Sequence, residues 1–459
     1  MINRRQLLKY LLQAGIFAGA GPVVSSRLQA ASDSYSGPLW IIVNAQGGWD
    51  VTSFCDPKGY NGVAGKNSPD RINNYDSADI LQAGNVPYAP SPDSFRPGQI
   101  NFDPNLYSVT TFFQKYYHHM LVLNGIDCQT NSHASGQMYN MSGHMIPGYP
   151  VFSALLSAVS APDRALSFLS NGGYASSGGL ITPIKLNSPA MRALSEIAYP
   201  NRSSIPRSAA SRLYLPSAVE QLITNASNQR HQEMLVSQNL PRIRKSLTEL
   251  VQSRQSLSSL QALADNLEQI PLRPESDFNG RKKAYRIYQQ GRMALAAYQQ
   301  GVASSVNVHL NGFDTHTNHD EKHYPLLMDL LQGVDAIIDE ATSRGLENKI
   351  VLVMLSDFGR RNKYNNENGK DHWPISSAIV LGNQFQRVAG NKVIGQTSDQ
   401  HKALAVDPIS LIADTAGTNP QAVKLTPAHL HMSLRRLAAI DRSPVTMRYA
   451  LNGQELALF

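Results

Sequence analysis

The chain has 459 residues, of which 42% are hydrophobic and 16% charged, an ordinary globular composition that excludes a disordered or fibrous protein. Its formal charge of +7 is weighted to the start: Arg4, Arg5, Lys9 and Arg27 lie in the first 31 residues, which hold no acidic residue, and without them the excess is +3. With so small an excess and no recognised nucleic-acid motif, nucleic acid is not an expected partner.

Taken in chain order, the first segment reads as an address. Asn3-Arg4-Arg5-Gln6-Leu7-Leu8-Lys9 carries a twin arginine, Tyr10 to Ala20 is mildly apolar and rich in Gly and Ala, and small residues follow at Ala30-Ala31. A positive start, a short apolar region and a small-residue exit make a signal peptide over 1–31, and the paired arginines make it a twin-arginine signal. Such a leader delivers an already folded protein, with any metal loaded, to a periplasmic or extracellular location. Its apolar stretch falls short of the about 20 residues a membrane span needs, and no later run is long enough to anchor the chain. The alternative, a basic amphipathic helix, sits poorly with the polar linker Ser32 to Pro38 that follows at once.

Leu39 to Val43 is the first continuous apolar run, the mark of a strand buried on both faces. Residues 56–105, rich in Pro, Gly, Asn and Asp, read as a long irregular insertion. Met120 to Leu123 is a second run. Residues 211–302 read as mostly helical, with Leu240, Ile243, Leu247, Leu250, Leu257, Leu260, Leu267 and Ile270 approaching a heptad seam that Pro271 and Pro274 break. The expectation there is an inserted helical hairpin, which packs on its own sheet, caps a site or docks a protein partner. Ser305 to Leu310 and Ile350 to Leu355 are further runs, with helical spacing between them over Tyr324 to Asn348, and Ala378 to Leu381 is the fifth. Strand–helix–strand in this order predicts one α/β domain over 32–459, built on a mostly parallel sheet with helices on both faces.

Polar motifs stand beside each main run: Gly47-Gly48-Trp49-Asp50, Asp127 to His133, Asn311-Gly312-Phe313-Asp314-Thr315-His316, Ser356-Asp357-Phe358-Gly359-Arg360 and Gly369-Lys370-Asp371-His372. Sites in open α/β sheets lie at the carboxyl edge of the strands, so these motifs are placed to converge. Asp50, Asp314, His316, Asp357 and His372 form a candidate ligand set for one or two divalent ions, with zinc or manganese favoured over magnesium or calcium by the imidazoles. Ser132 is a candidate nucleophile at the start of a helix, with His133 beside it as a further candidate catalytic residue, and Arg360 a candidate to grip a substrate anion. Each has a plain alternative: Ser132 as a helix cap, Asp50 as a turn residue, Asp314 and His316 as a local turn. Among the other histidines, His319 is the one placed to join them. Cys55 and Cys128 either pair in an oxidising compartment or are two buried small side chains.

Together these motifs resemble the domain of unknown function 1501 family, a twin-arginine-exported branch of the alkaline phosphatase and sulfatase-like superfamily. The matching stretches are Gly47 to Asp50, Ser132-His133, Gly312 to His316, Ser356 to Arg360 and Asp371-His372; residues 56–105 and 211–302 lie outside the resemblance. The resemblance implies an alkaline-phosphatase-like fold with two metal positions, one on Asp314, His316 (or His319) and His372, the other on Asp50, Asp357 and the nucleophile near Ser132. Phe358 stands where superfamily phosphatases carry a histidine, and one residue rather than three separates Asp314 from His316; both departures point away from a two-metal phosphatase. The expected function is an exported metal-dependent hydrolase of phosphate or sulfate esters, acting on a small anionic ester. The rival is a non-catalytic exported protein that binds a partner or envelope component through the helical insertion.

Overall fold

A computed structural model describes residues 35–90, 107–162, 164, 166–184, 198–203, 212–241, 243–244, 247, 257–269, 271–382 and 388–459. The expected twin-arginine leader, the end of the expected 56–105 insertion, and Leu250 and Ile270 of the expected heptad seam lie outside the described residues.

The five apolar runs form the strands β1 (Leu39–Gln46), β2 (Met120–Asp127), β4 (Ser305–Asn311), β5 (Ile350–Ser356) and β6 (Ile375–Leu381), and two short strands outside those runs, β3 (Phe168–Ser170) and β7 (Lys392–Ile394), join them. They make a seven-stranded sheet in the order β7–β2–β6–β5–β1–β4–β3. β1 runs parallel to β4 and β5, β3 parallel to β4, and β7 parallel to β2. β6 alone among them is reversed, antiparallel to both β2 and β5. No helix lies between β5 and β6 to carry the chain back across the sheet, so β6 re-enters from the edge where β5 ends. Asp371 and His372, which precede β6, therefore lie at the same edge as the residues that follow β1, β2, β4 and β5.

Both faces of the sheet are covered, which is why runs such as Leu39 to Val43 and Ile350 to Leu355 are apolar without alternation. Along β1, Leu39, Ile41, Val43 and Ala45 enter one core and Trp40 and Ile42 the other. The first core is closed by α1 (Val109–Tyr116), α6 (Lys282–Gln299) and α7 (His319–Ser343), the second by α2 (His133–Ser142), α3 (Phe152–Ser160) and α8 (Pro427–Leu437). Each fully buried Val, Leu or Ile contributes roughly 1.5–3 kcal/mol through burial.

The helical region holds α4 (Ser217–Ser237), α5 (Leu257–Gln269) and α6. α4 buries none of its side chains. α6, which the sequence placed with the insertion, buries Ile287, Tyr288, Met293 and Leu295 against the sheet and α7. The described part of 56–105 is turns and short pieces, among them the hairpin Leu81–Ala83/Val86–Tyr88. Cys55 and Cys128 are buried and unpaired. Among the described residues no helix is long and apolar enough to cross a membrane.

Candidate metal centre

Close approach of the strand exits builds the centre. Gly47 has φ +118°, and a Cβ there would fall 2.5 Å from the backbone nitrogen of Asp314, so only glycine lets the β1 exit lie on the β4 exit. Gly136 on α2 meets the Asp357 carbonyl in the same way, at 2.5 Å from the position of an added Cβ, which seats the first turn of α2 over the β5 exit. The side chains thus gathered are His133, Asp314, His316 and His372.

Asp314 is the hub. Its Oδ1 lies 2.7 Å from Arg360 Nη2, 3.1 Å from His316 Nε2 and 3.2 Å from His372 Nε2, and its Oδ2 lies 3.3 Å from His133 Nε2. The Nε2 atoms of His316 and His372 are 3.0 Å apart. Ligand atoms of His133, Asp314 and His372 all fall within 4.8 Å of one another.

The far side of each imidazole decides what the near side offers. His133 Nδ1 donates to Asp357 Oδ2 at 2.9 Å, His316 Nδ1 to Asp371 Oδ1 at 3.0 Å, and His372 Nδ1 to the Asn131 carbonyl at 2.8 Å. Carboxylates and carbonyls only accept, so these partners assign the proton of each neutral ring to Nδ1 and leave a lone pair on Nε2. Three lone pairs and a carboxylate therefore face one another, and neither His316 nor His372 has an Nε2 proton to give its neighbour. A cation among them would resolve that repulsion. Tetrahedral zinc, with bonds of about 2.0–2.1 Å, holds its ligand atoms about 3.3–3.4 Å apart, close to the 3.0–3.2 Å found among Asp314 Oδ1, His316 Nε2 and His372 Nε2, while His133 Nε2 approaches the other Asp314 oxygen. Carboxylate or carbonyl partners on the outer nitrogen are the usual support of metal-binding histidines.

Charge and burial act on the protonation of these groups in both directions. Partial burial works against the Asp314 charge, but Arg360 holds its carboxyl at about 2. Burial pushes the His372 imidazole down, towards the neutral form a metal needs. The hydrogen bond to Asp357 pulls His133 up. The Asp371 carboxyl is held low, chiefly by His316.

Of the five residues read from sequence as ligands, Asp314, His316 and His372 converge, and His133, read as catalytic, joins them. Asp357 and Asp50 do not. Asp357 is fully buried, and its Oδ2 is taken up by His133 Nδ1 and by the Gly47 N–H at 3.0 Å, so it orients the His133 ring from behind. Asp50 caps the turn Val51–Ser53, accepting from the Thr52 N–H at 3.0 Å and hydroxyl at 2.6 Å. Its other oxygen meets Lys370 Nζ at 2.6 Å and His319 Nε2 at 3.1 Å. Burial opposes the Asp50 charge, but Lys370 and His319 hold its carboxyl well below the usual range.

Arg360 does not reach for an anion. It is fully buried, with Nε on the Gly48 carbonyl at 2.7 Å, Nη1 on the Lys370 carbonyl at 2.9 Å and Nη2 on Asp314 and the Gly47 carbonyl. Ser132 holds the cap position of α2, but its exposed hydroxyl makes no capping bond. Sequence reasoning missed the roles of Asp371, Lys370 and the Asn131 carbonyl. Asp371 and Lys370 stood in a motif already singled out, yet neither residue type beside a histidine signals an outer support.

A family profile matches residues 39–456, from the first residue of β1 almost to the C terminus. The chain belongs to the family "Protein of unknown function (DUF1501)". Comparison with curated proteins gives no match. Among solved structures, the DUF1501 chain is similar to Ps i-CgsB in complex with k-i-k-neocarrahexaose, at 10% identity and a TM-score of 0.37, over 91% of this chain and 75% of that one. It is also similar to the PsFucS1 sulfatase from Pseudoalteromonas sp., at 9% identity and a TM-score of 0.34, over 92% and 73%. Likeness this distant carries neither residues nor substrates over to the DUF1501 chain.

Proposed function

We propose that the protein is an exported hydrolase of small anionic esters, phosphate or sulfate, working with one divalent ion held by His133, Asp314 and His372, with His316 as fourth neighbour. One observation carries this reading: each imidazole is bonded at Nδ1 to a group that only accepts, and each directs Nε2 at Asp314. The nitrogen-rich set favours zinc or manganese. A bound ion of that kind supplies Lewis-acid chemistry, polarising an ester oxygen or acidifying a water.

The chain's own residues supply the rest. Asp314 offsets the ion's charge and is kept ionised by Arg360. The leading N–H groups of α2 and the free Ser132 hydroxyl offer an anion a partial positive charge and a candidate nucleophile beside His133. The twin-arginine leader places this chemistry outside the cytoplasm, with the ion loaded before crossing. A second reading, a non-catalytic binding protein, draws on α4, which buries no side chain and exposes Leu222 (69%) and Ile223 (55%).

Protein isolated from the periplasm tests both. About one zinc or manganese per chain is expected by elemental analysis, with turnover of an aryl phosphate or aryl sulfate, and both lost in Asp314→Ala and His372→Ala. Metal-free wild-type protein that takes up no ion would end the hydrolase reading. A full complement of metal with no turnover across an ester panel would favour the binding role.

A further inference from the structure

Behind the metal centre lies a closed ring of buried polar groups. Lys370, fully buried, places Nζ 2.6 Å from Asp50 Oδ2 and 2.7 Å from Asn73 Oδ1, with the Tyr364 ring centre 5.0 Å away. Asp50 Oδ2 also accepts from His319 Nε2 at 3.1 Å, and His319 Nδ1 accepts the Thr315 hydroxyl at 2.7 Å. The ring closes through the backbone, where the Lys370 N–H donates to the Thr315 carbonyl at 3.1 Å. Asp50 can only accept, which assigns the His319 proton to Nε2 and the hydroxyl proton of Thr315 to the bond with Nδ1. Lys370, Asp50, His319 and Thr315 are all at most 1% exposed.

Two corners of this ring carry the metal centre. Thr315 stands between Asp314 and His316, and Lys370 directly precedes Asp371 and His372. The two segments are further joined by Asn365 Nδ2 donating to the His316 carbonyl at 2.9 Å and by the His319 N–H donating to the Asn368 carbonyl at 2.8 Å. A fully buried ion pair is a poor source of net stability, since desolvation of both charges offsets their attraction and apolar replacements often do as well. Its worth lies in geometry: an ammonium that must stay on Asp50 fixes where the next two residues can go.

We propose that Lys370 is a positioning residue for the metal centre. Its buried ammonium, held by Asp50 and Asn73, sets the spacing between the Asp314–His316 and Asp371–His372 segments at which their side chains can share one ion. This rests on the single-metal reading above.

Cobalt(II) titration of the full chain, followed by its visible absorption band and by competition with a chelator, tests the proposal without reference to turnover. Lys370→Met, checked as folded by near-ultraviolet circular dichroism, is expected to bind cobalt about 10- to 100-fold more weakly, with an altered band, the scale seen for lost outer supports of metal ligands. The double variant Asp50→Asn/Lys370→Met removes both charges and leaves no orphaned carboxylate. It is expected to regain resistance to denaturant but not cobalt affinity, and it decides the matter if the single variant does not fold. Wild-type affinity and band shape in either folded variant would overturn the positioning role and leave the metal reading intact. Wild-type protein that binds no cobalt would instead overturn the metal reading, and this proposal with it.

Discussion

Asp357→Asn removes a charge from behind a ligand while keeping its shape. Asp357 is fully buried, and its Oδ2 accepts from His133 Nδ1 at 2.9 Å and from the Gly47 N–H at 3.0 Å. A hydrogen bond to a charged group contributes about 1.5–3 kcal/mol against about 0.5–1.5 for a neutral pair. The amide therefore gives up about 1–1.5 kcal/mol of support for His133, close to a tenfold loss in affinity. Asp357→Ala removes the acceptor altogether and frees His133 to move its proton to Nε2, the atom the metal needs. A loss nearer 100-fold is expected there, the upper end for such outer partners. The alanine variant also leaves the Gly47 N–H without its acceptor, at a cost of about 1–3 kcal/mol in stability. Zinc competition against a chromophoric chelator reads the affinity, and urea unfolding of the metal-free protein reads the stability. Both variants binding zinc within twofold of wild type would refute the claim that His133 is a ligand oriented from behind by Asp357.

Other expectations follow from charge. The Asp357 hydrogen bond raises the His133 pKa above 6.5, so its Nε2 holds a competing proton at pH values where an ordinary histidine is neutral. Metal affinity should fall as pH drops through that raised value, with protons released on binding, and Asp357→Asn should move the fall to lower pH; calorimetry at pH 6 and 8 would show a pH-independent affinity if this is wrong. His431 on α8, with Nε2 2.8 Å from the Asn140 carbonyl, is pushed down by burial, and further by Arg435, to about 3 from 6.5. Between those values the unfolded chain binds the extra proton and the folded chain does not, so stability is lost as pH falls from 6.5 towards 3, by about 5 kcal/mol in all. His431→Gln should flatten that part of the stability–pH curve, measured by urea unfolding, and an unchanged slope would contradict it.

Much of this architecture was legible in the chain. Continuous apolar runs such as Leu39 to Val43 and Ile350 to Leu355 can be satisfied only where both faces are covered, which makes them central strands of a helix-flanked sheet. The motifs beside those runs could then be assigned to one edge, and Asp314, His316 and His372 do meet there. The reversed β6 brings Asp371 and His372 to that edge although they precede their strand, and nothing local in the sequence announces the reversal. α6 falls within the stretch read as helical, but Tyr, Gln and Arg interrupt its apolar face, and only its partner α7 shows which side is buried.

The individual roles were less accessible. Asp50 and Asp314 each follow a glycine-containing strand exit and look alike as ligands, yet one is closed off by a lysine 320 positions away and the other is left facing three imidazoles. Arg360 looked free to hold a substrate, but the glycine carbonyls of the β1 exit and Asp314 take its donors. Residue type and spacing, by themselves, determined the sheet and the edge at which polar motifs gather. Which carboxylate is free and which is spoken for was decided only by folding, because a side chain's charge and proton positions answer to neighbours in space, and those neighbours are supplied by segments far apart along the chain.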